Sequence, residues 1–288
     1  MSNRAAEAFT RLVDIVATLR SPEGCPWDRD QTIDSLKPFV LEETYEVVEA
    51  IDRSDHAALR EELGDFLFEA VFVAQLEAEA GRFTVADSLT CIADKLVRRH
   101  PHVFARQAGE PALDTAGQVV ERWEQIKAQE HAAAAKPTTL LGSIPRALPS
   151  LLRAYQIGLR AASVGFDWDK PRDVVGKIQE EVDELRDAIE ISPGERDRAE
   201  EEMGDLLFSM ANLSRQLGIE PETALRKANE KFTKRFEAME RTVGESGRRM
   251  RDLTLDELEQ EWQRIKNNHE DNQEDNHKDH KEHKERRE

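Results

Sequence analysis

Cysteine is almost absent: two in 288 residues, Cys25 and Cys91, which form no close metal or redox pair. That usage excludes a disulfide scaffold and fits a reducing compartment. Aromatics are scarce at 6%, with only 14 glycines and 11 prolines, so the composition of an all-β barrel is missing. Long apolar runs are missing too, since none approaches the roughly 18 residues that a membrane span requires. The opening MSNRAAEAFTRLVDIV is amphipathic, unlike the continuous apolar core of a secretory leader. Basic charge falls short of acidic: 41 Lys plus Arg against 59 Asp plus Glu, a formal charge of −18. Attraction to a phosphate backbone is electrostatic, so duplex binding is disfavoured, and any phosphate ligand needs a metal ion or a local basic cluster. The expectation is a cytoplasmic protein with no membrane and no nucleic-acid partner.

What the chain has in quantity is apolar residues at helical spacing. Phe9, Leu12, Val13, Val16 and Leu19 form one stripe, and Leu41, Tyr45, Val48 and Ile51 another. Segments 55–80, 173–191, 195–217 and 220–241 carry the clearest stripes, and none alternates with period two. An all-α fold of about ten helices follows.

The length suggests two domains at roughly 150 residues each. The stretch KPTTLLGSIPRALPS, with three prolines and a glycine, separates two halves that repeat one another. CPWDRDQT around Trp27 answers GFDWDKPRD around Trp168, both tryptophans being expected to serve packing. LEETYEVVEAI matches QEEVDELRDAI, EELGDFLF matches EEMGDLLF, KLVRR matches KFTKR, and ERWEQIK matches QEWQRIK. Five blocks in one order at a nearly constant offset indicate a duplicated helical module: residues 1–135, a linker at 136–150, and residues 151–266. Residues 267–288, rich in charge and including His269, His277, His280 and His283, read as a solvated, disordered tail whose histidine spacing fits no closed zinc site.

Each half carries E-E-x-x-E followed by E-x-x-D. The first set is Glu42, Glu43 and Glu46 with Glu62 and Asp65; the second is Glu180, Glu181 and Glu184 with Glu202 and Asp205. Residues three apart share a helix face, so each helix presents a carboxylate pair. Glu181 and Asp205 lie equally far from Pro193, as do Glu184 and Glu202, and Gly194 follows as turn chemistry favours. Glu43 with Asp65, and Glu46 with Glu62, are likewise centred on Ser54. Two antiparallel helix hairpins are therefore predicted, each bringing four carboxylates face to face. Gly64 and Gly204, inside the motifs, cost a helix about 1 kcal/mol each against alanine and point to close backbone approach. Two unit charges 4 Å apart repel by about 4 kcal/mol at an effective dielectric of 20, so the acids call for a cation. All-oxygen ligation suits Mg2+ or Mn2+ rather than zinc. No Ser, Cys or His is placed by the sequence pattern for a covalent step.

Downstream, Lys231 and Arg235 stand four apart, and Lys95 and Arg99 at the matching places, as pairs able to grip phosphate oxygens. Trp262 with Lys266, and Trp123 with Lys127, repeat the spacing; an indole beside a cation can stack on a base while the ammonium meets a phosphate. Surface ion pairing and core packing are the competing readings of these residues.

In this order of motifs the chain resembles the MazG family of nucleoside triphosphate pyrophosphohydrolases over about residues 4–266. EEVDE, EEMGD, KANEKFTKRF and EWQRIK are similar to its C-terminal module. CPWDRDQT, LEETYEVVEAI, EELGD and KLVRRHPHVF are similar to its N-terminal module. The resemblance implies an all-α homodimer of broad nucleotide range, ATP included, that yields a nucleoside monophosphate and pyrophosphate for nucleotide-pool cleaning. It also implies that Glu181, Glu184, Glu202 and Asp205 hold Mg2+, and that Lys177, Glu180, Arg198, Lys231, Arg235, Trp262 and Lys266 contact nucleotide. Arg198 stands where that family can carry lysine. The C-terminal module is the expected catalytic one. A second site in the N-terminal module would comprise Glu43, Glu46, Glu62, Asp65, Lys95, Arg99, Trp123 and Lys127. A related hydrolase of narrower substrate range and a non-catalytic nucleotide sensor are the alternative readings.

Overall fold

The computed structural model describes residues 2–105, 139–191 and 196–267, with isolated positions between 114 and 130. Lys127, Pro193 and Gly194, the linker positions 136–138 and the tail from 268 lie outside them. Among the described residues the regular structure is helical, with no strand. The chain divides into two compact units, Met1–Ala134 and Ala135–Glu288.

The first unit contains α1 (Ser2–Arg20), α2 (Pro26–Asp30), α3 (Ile33–Asp52), α4 (His56–Glu79), α5 (Val85–Arg99) and α6 (Pro101–Phe104). Thr32 opens α3 through a reciprocal capping box with Ser35. Asp55 opens α4 by accepting from the amides of Ala57 and Ala58. Between the two caps, Ser54 takes a left-handed backbone at φ 55°, which turns the chain back and lays α4 along α3. The sequence centre of the first hairpin and its observed turn are thus the same residue. The core beneath is Val16 of α1, Leu36 of α3, and Val71, Phe72 and Leu76 of α4. Phe9, Leu12, Val13, Phe39 and Phe68 pack around it.

The second unit contains α7 (Ser150–Ala162), α8 (Pro171–Ile191), α9 (Arg196–Gln216), α10 (Pro221–Glu245) and α11 (255–267), with a single 3-10 turn at Met250–Asp252. Helices α8 and α9 pack along one another as α3 and α4 do, and α7 lies across α9 and α10. Gly158 permits that crossing: a Cβ there would come within 3.1 Å of the Arg215 guanidinium and the Asn212 side chain. Pro221 starts α10 behind Glu220, whose carboxylate accepts from the amides of Glu222 and Thr223 at 2.8 Å. Val174, Ala188, Ala211, Met239 and Val243 are buried in this unit.

Two packing expectations fail. Trp27 and Trp168 remain 55% and 40% exposed, with Trp27 touching Phe39 edge-on. Polar ties anchor their segments instead. Arg20 donates to Glu79 and to the carbonyls of Asp28 and Gln31, while Arg215 and Gln216 hold Asp167, and Gln216 also holds the Trp168 carbonyl. Nor do Gly64 and Gly204 admit a neighbouring backbone, because a Cβ at either meets nothing within 4 Å. Both glycines lie on exposed faces of their helices.

Phe72 is 1% exposed and central to the first core. Phe72→Ala should lower the unfolding free energy of that unit by about 3–5 kcal/mol, measurable by urea titration followed by circular dichroism.

Candidate active site

The second hairpin sets its acids by register. From α8 come Glu180, Glu181 and Glu184, with Lys177 one turn earlier; from α9 come Glu202 and Asp205, with Arg198 one turn earlier. Glu181, Glu202 and Asp205 each place one carboxylate oxygen within 4.8 Å of the others. Their exposure is graded: Glu181 is buried, Glu202 half-buried and Asp205 exposed, so the cluster is open on one side. Glu184 is not one of the three but stands beside them. Burial lifts it above the ordinary carboxylate range; Lys177 opposes that shift, and the charges of Glu181, Glu202 and Glu180 add to it.

Two cations are built into this cluster. The Lys177 ammonium lies 2.9 Å from both Glu180 and Glu181, and these hydrogen bonds hold its pKa well above the usual lysine value. The Arg198 Nε lies 3.9 Å from Glu202. Both residues and Glu180, expected to contact nucleotide, therefore border the acids.

The first hairpin repeats the acids without those cations. Glu43, Glu62 and Asp65 also bring oxygens within 4.8 Å of one another. Glu46 lies across the hairpin from Glu62, near enough to help raise its carboxyl, at the level predicted by their equal distance from the turn. Burial comes first among the causes that raise Glu43 and Glu62, and neighbouring carboxylates supply the rest. One oxygen of Glu43, Oε2, is buried with no hydrogen-bond partner.

A residue that the motifs did not reveal joins this group. Glu69, one turn beyond Asp65 on α4, is 7% exposed, and its Oε2 is also buried without a partner. Burial, then Glu43 and Asp65, push its carboxyl up to about 7. The available signal was a lone acid inside the apolar run FLFEAVFV.

The downstream residues sit on other helices. Lys231 is exposed and Arg235 half-buried on α10, while Trp262 and Lys266 are half-buried on α11. Phe232 joins the two helices, its ring 5.0 Å from that of Trp262 and 5.9 Å from that of Phe236. In the first unit Lys95 and Arg99 are half-buried on α5. Arg99 is bound to Glu130 at 2.6 and 3.1 Å, and Arg98 reaches the same carboxylate, holding it down at about 2. Trp123 meets His100 edge-on at 5.0 Å. The Arg99–Glu130 pairing escaped the sequence reading because Glu130 falls outside the repeated blocks.

Each cluster offers only hard oxygen donors, and in the first hairpin the raised carboxyls and orphaned oxygens of Glu43 and Glu69 express carboxylates short of positive charge. That donor set fits a divalent cation of the Mg2+ or Mn2+ type.

Residues 31–104 and 170–239 each match the model of the MazG nucleotide pyrophosphohydrolase domain. The chain belongs to the MazG family. It is 49% identical over 257 residues to the nucleoside triphosphate pyrophosphohydrolase of Escherichia coli K12, covering 89% of this chain and 96% of that protein. It is 45% identical over 262 residues to the nucleoside triphosphate pyrophosphohydrolase/pyrophosphatase MazG of Thermotoga maritima, covering 91% and 97%. Among solved structures, a mazG-related protein from Thermotoga maritima aligns with 41% of this chain and 98% of its own, at 27% identity and a TM-score of 0.35. The two MazG domain matches contain the acids of both hairpins, together with Lys177, Arg198, Lys231 and Arg235.

Carboxyls whose pKa is raised by folding bind protons more readily in the native state than in the unfolded one. Glu43, Glu62 and Glu69 therefore stabilise the fold below about pH 4.5, and that contribution is lost as pH rises, through about 7 for Glu69. In EDTA the melting temperature should fall between pH 5 and pH 8, and Glu69→Gln should flatten the fall; calorimetric scans across that range check it.

Proposed function

We propose that the C-terminal module, within 151–266, hydrolyses nucleoside triphosphates of several bases to the monophosphate and pyrophosphate, using Mg2+. Membership in the MazG family supports pyrophosphohydrolase activity, as do the names of the Escherichia coli and Thermotoga relatives. The observation that carries the choice of module is the pair of cations at the second acid cluster, Lys177 and Arg198. Their matching positions in the first module are Phe39 and Ala58. A polyphosphate arriving at the second cluster meets Lys177 and Arg198, which the first cluster lacks.

Glu181, Glu202 and Asp205 would hold the ion. When bound, such an ion neutralises phosphate charge and lowers the pKa of a coordinated water. Glu184, beside the three and raised above the ordinary carboxylate range by burial, accepts the proton of the attacking water. Lys177, already a shared donor to two carboxylates, releases part of that bonding to phosphate oxygens, and Arg198 offers a forked donor from the opposite helix. Lys231 and Arg235 bind the outer phosphates, and Trp262 and Lys266 receive the nucleoside. A stacking indole is tolerant of base identity, which favours a broad substrate range.

A homodimer is the matching assembly. Leu63, Phe66 and Leu67 of α4 and Met203, Leu207 and Phe208 of α9 are large apolar side chains left exposed on the hairpins. An apolar cavity of about 420 Å³ opens among Phe9, Phe66, Phe83 and Leu89. Exposed apolar area of this kind ordinarily marks an interface. Light scattering should return twice the 32.8 kDa chain mass, and Phe66→Glu with Phe208→Glu should return the chain mass itself.

Pyrophosphate release from a panel of nucleoside triphosphates, with Mg2+ and with EDTA, tests the activity. Turnover should require the metal and disappear in Glu181→Ala with helicity kept, while Glu43→Ala retains it. Full activity in the first variant would refute the assignment of the site, and halved activity in the second would show that both modules act.

A further inference from the structure

The cavity between α1, α4 and α5 of the first unit is walled by Phe9, Phe66, Val73, Phe83 and Leu89 and measures about 420 Å³. That volume falls within the roughly 300–1,000 Å³ of small-molecule sites. Two of its lining side chains are polar: Ser88, exposed on α5, and Glu69. Glu69 is 7% exposed, and its Oε2 is buried with no hydrogen-bond partner. An acid so placed normally has a partner, because desolvating a carboxylate without compensation is costly. The charges acting on Glu69, those of Glu43 and Asp65, share its sign, and together with burial they push its carboxyl up to about 7. Packing does not demand an acid there. The duplicated hairpin buries Ser209 at the matching place, and the cavity of about 480 Å³ beside α9, with Leu207, Phe208 and Leu225 in its wall, is lined without that residue.

An apolar chamber with one unsatisfied carboxyl in its wall complements a molecule that is apolar in body and cationic at one end. The phenylalanine faces attract such a cation as well. An anionic nucleotide meets like charge in this cavity, and a bare metal ion finds a single carboxylate among hydrocarbon side chains. The apolar face of a second copy, pressed over the opening, would leave the acid unpaired. We infer that the N-terminal module binds a small organic cation here, an ammonium group on an apolar ring or short chain, with Glu69 as its counter-charge. The ligand's body takes the place of water against Phe9, Phe66 and Phe83, and its ammonium donates charge-assisted hydrogen bonds to the Glu69 carboxylate. Leu63 and the exposed apolar residues of α9 lie outside the cavity and stay available to the dimer. The site belongs to the other unit from the proposed catalytic one, so its readout is binding rather than turnover.

The full-length chain, free of nucleotide, is titrated calorimetrically with phenethylammonium, with phenethyl alcohol as the neutral counterpart, with hydrocinnamate as the anionic one, and with adenosine. Phenethylammonium should bind once per chain and raise the melting temperature, with the alcohol weaker by about tenfold or more and hydrocinnamate not bound. Glu69→Gln, which keeps the volume and removes the charge, should bring the ammonium down to the affinity of the alcohol and leave the alcohol unchanged. Ser88→Trp, a change at an exposed helix position that fills the mouth of the cavity, should weaken both. Circular dichroism verifies that each variant is folded. Equal affinity for ammonium and alcohol, wild-type ammonium affinity in Glu69→Gln, or adenosine bound in place of the amine would overturn the inference. So would ammonium binding that weakens as protein concentration rises, since a second copy would then be the occupant.

Discussion

Like charges held close by a short turn are the constraint on which the rest of this protein depends. Helices α3 and α4 are separated by three residues, and Ser54 commits its backbone to the left-handed region so that they can lie side by side. Carboxylates three apart on each arm then face those opposite, and Glu43 and Glu62 are raised by burial first and by their acidic neighbours second. The apolar core beneath, built from Phe72, Leu36 and Val16, supplies the free energy that tolerates it. A fold of this kind stores an unmet demand for positive charge, and function follows from how that demand is met.

Duplication lets the same hairpin meet it in two ways. Lys177 and Arg198 supply positive charge to the second cluster through ion pairs with Glu181 and Glu202. Phe39 and Ala58 stand at the matching places in the first, so no cation is built in there from those positions. Arg99, one of the first module's cations, is already engaged by Glu130. Divergence between the modules is therefore a matter of counter-charge more than of backbone.

Much of this was legible in the sequence. The hairpin register followed from equal distances to a turn residue, because helix geometry and a short loop leave little freedom, and Glu46 meets Glu62 at the level so obtained. The family resemblance was carried by the same motifs that the domain matches cover. Other features depended on tertiary contacts that no periodicity encodes. Glu69 stands inside an apolar run, and only the fold shows its carboxylate buried with an unpartnered oxygen. Gly64 and Gly204 suggested close packing but face open space, and Trp27 and Trp168 looked like core residues while arginine hydrogen bonds anchor their segments. Of the quartet expected in each hairpin, three acids converge, with Glu184 standing beside the group in the second.

In the proposed reaction the acids of the second hairpin converge on a divalent ion that enables nucleotide cleavage. Anomalous diffraction from crystals grown with Mn2+ and a non-hydrolysable nucleoside triphosphate analogue tests it most directly. The account predicts manganese density bounded by Glu181, Glu202 and Asp205, with the analogue's phosphates on its open side next to Lys177. Manganese and phosphates located elsewhere, with those three carboxylates turned away from one another, would contradict it.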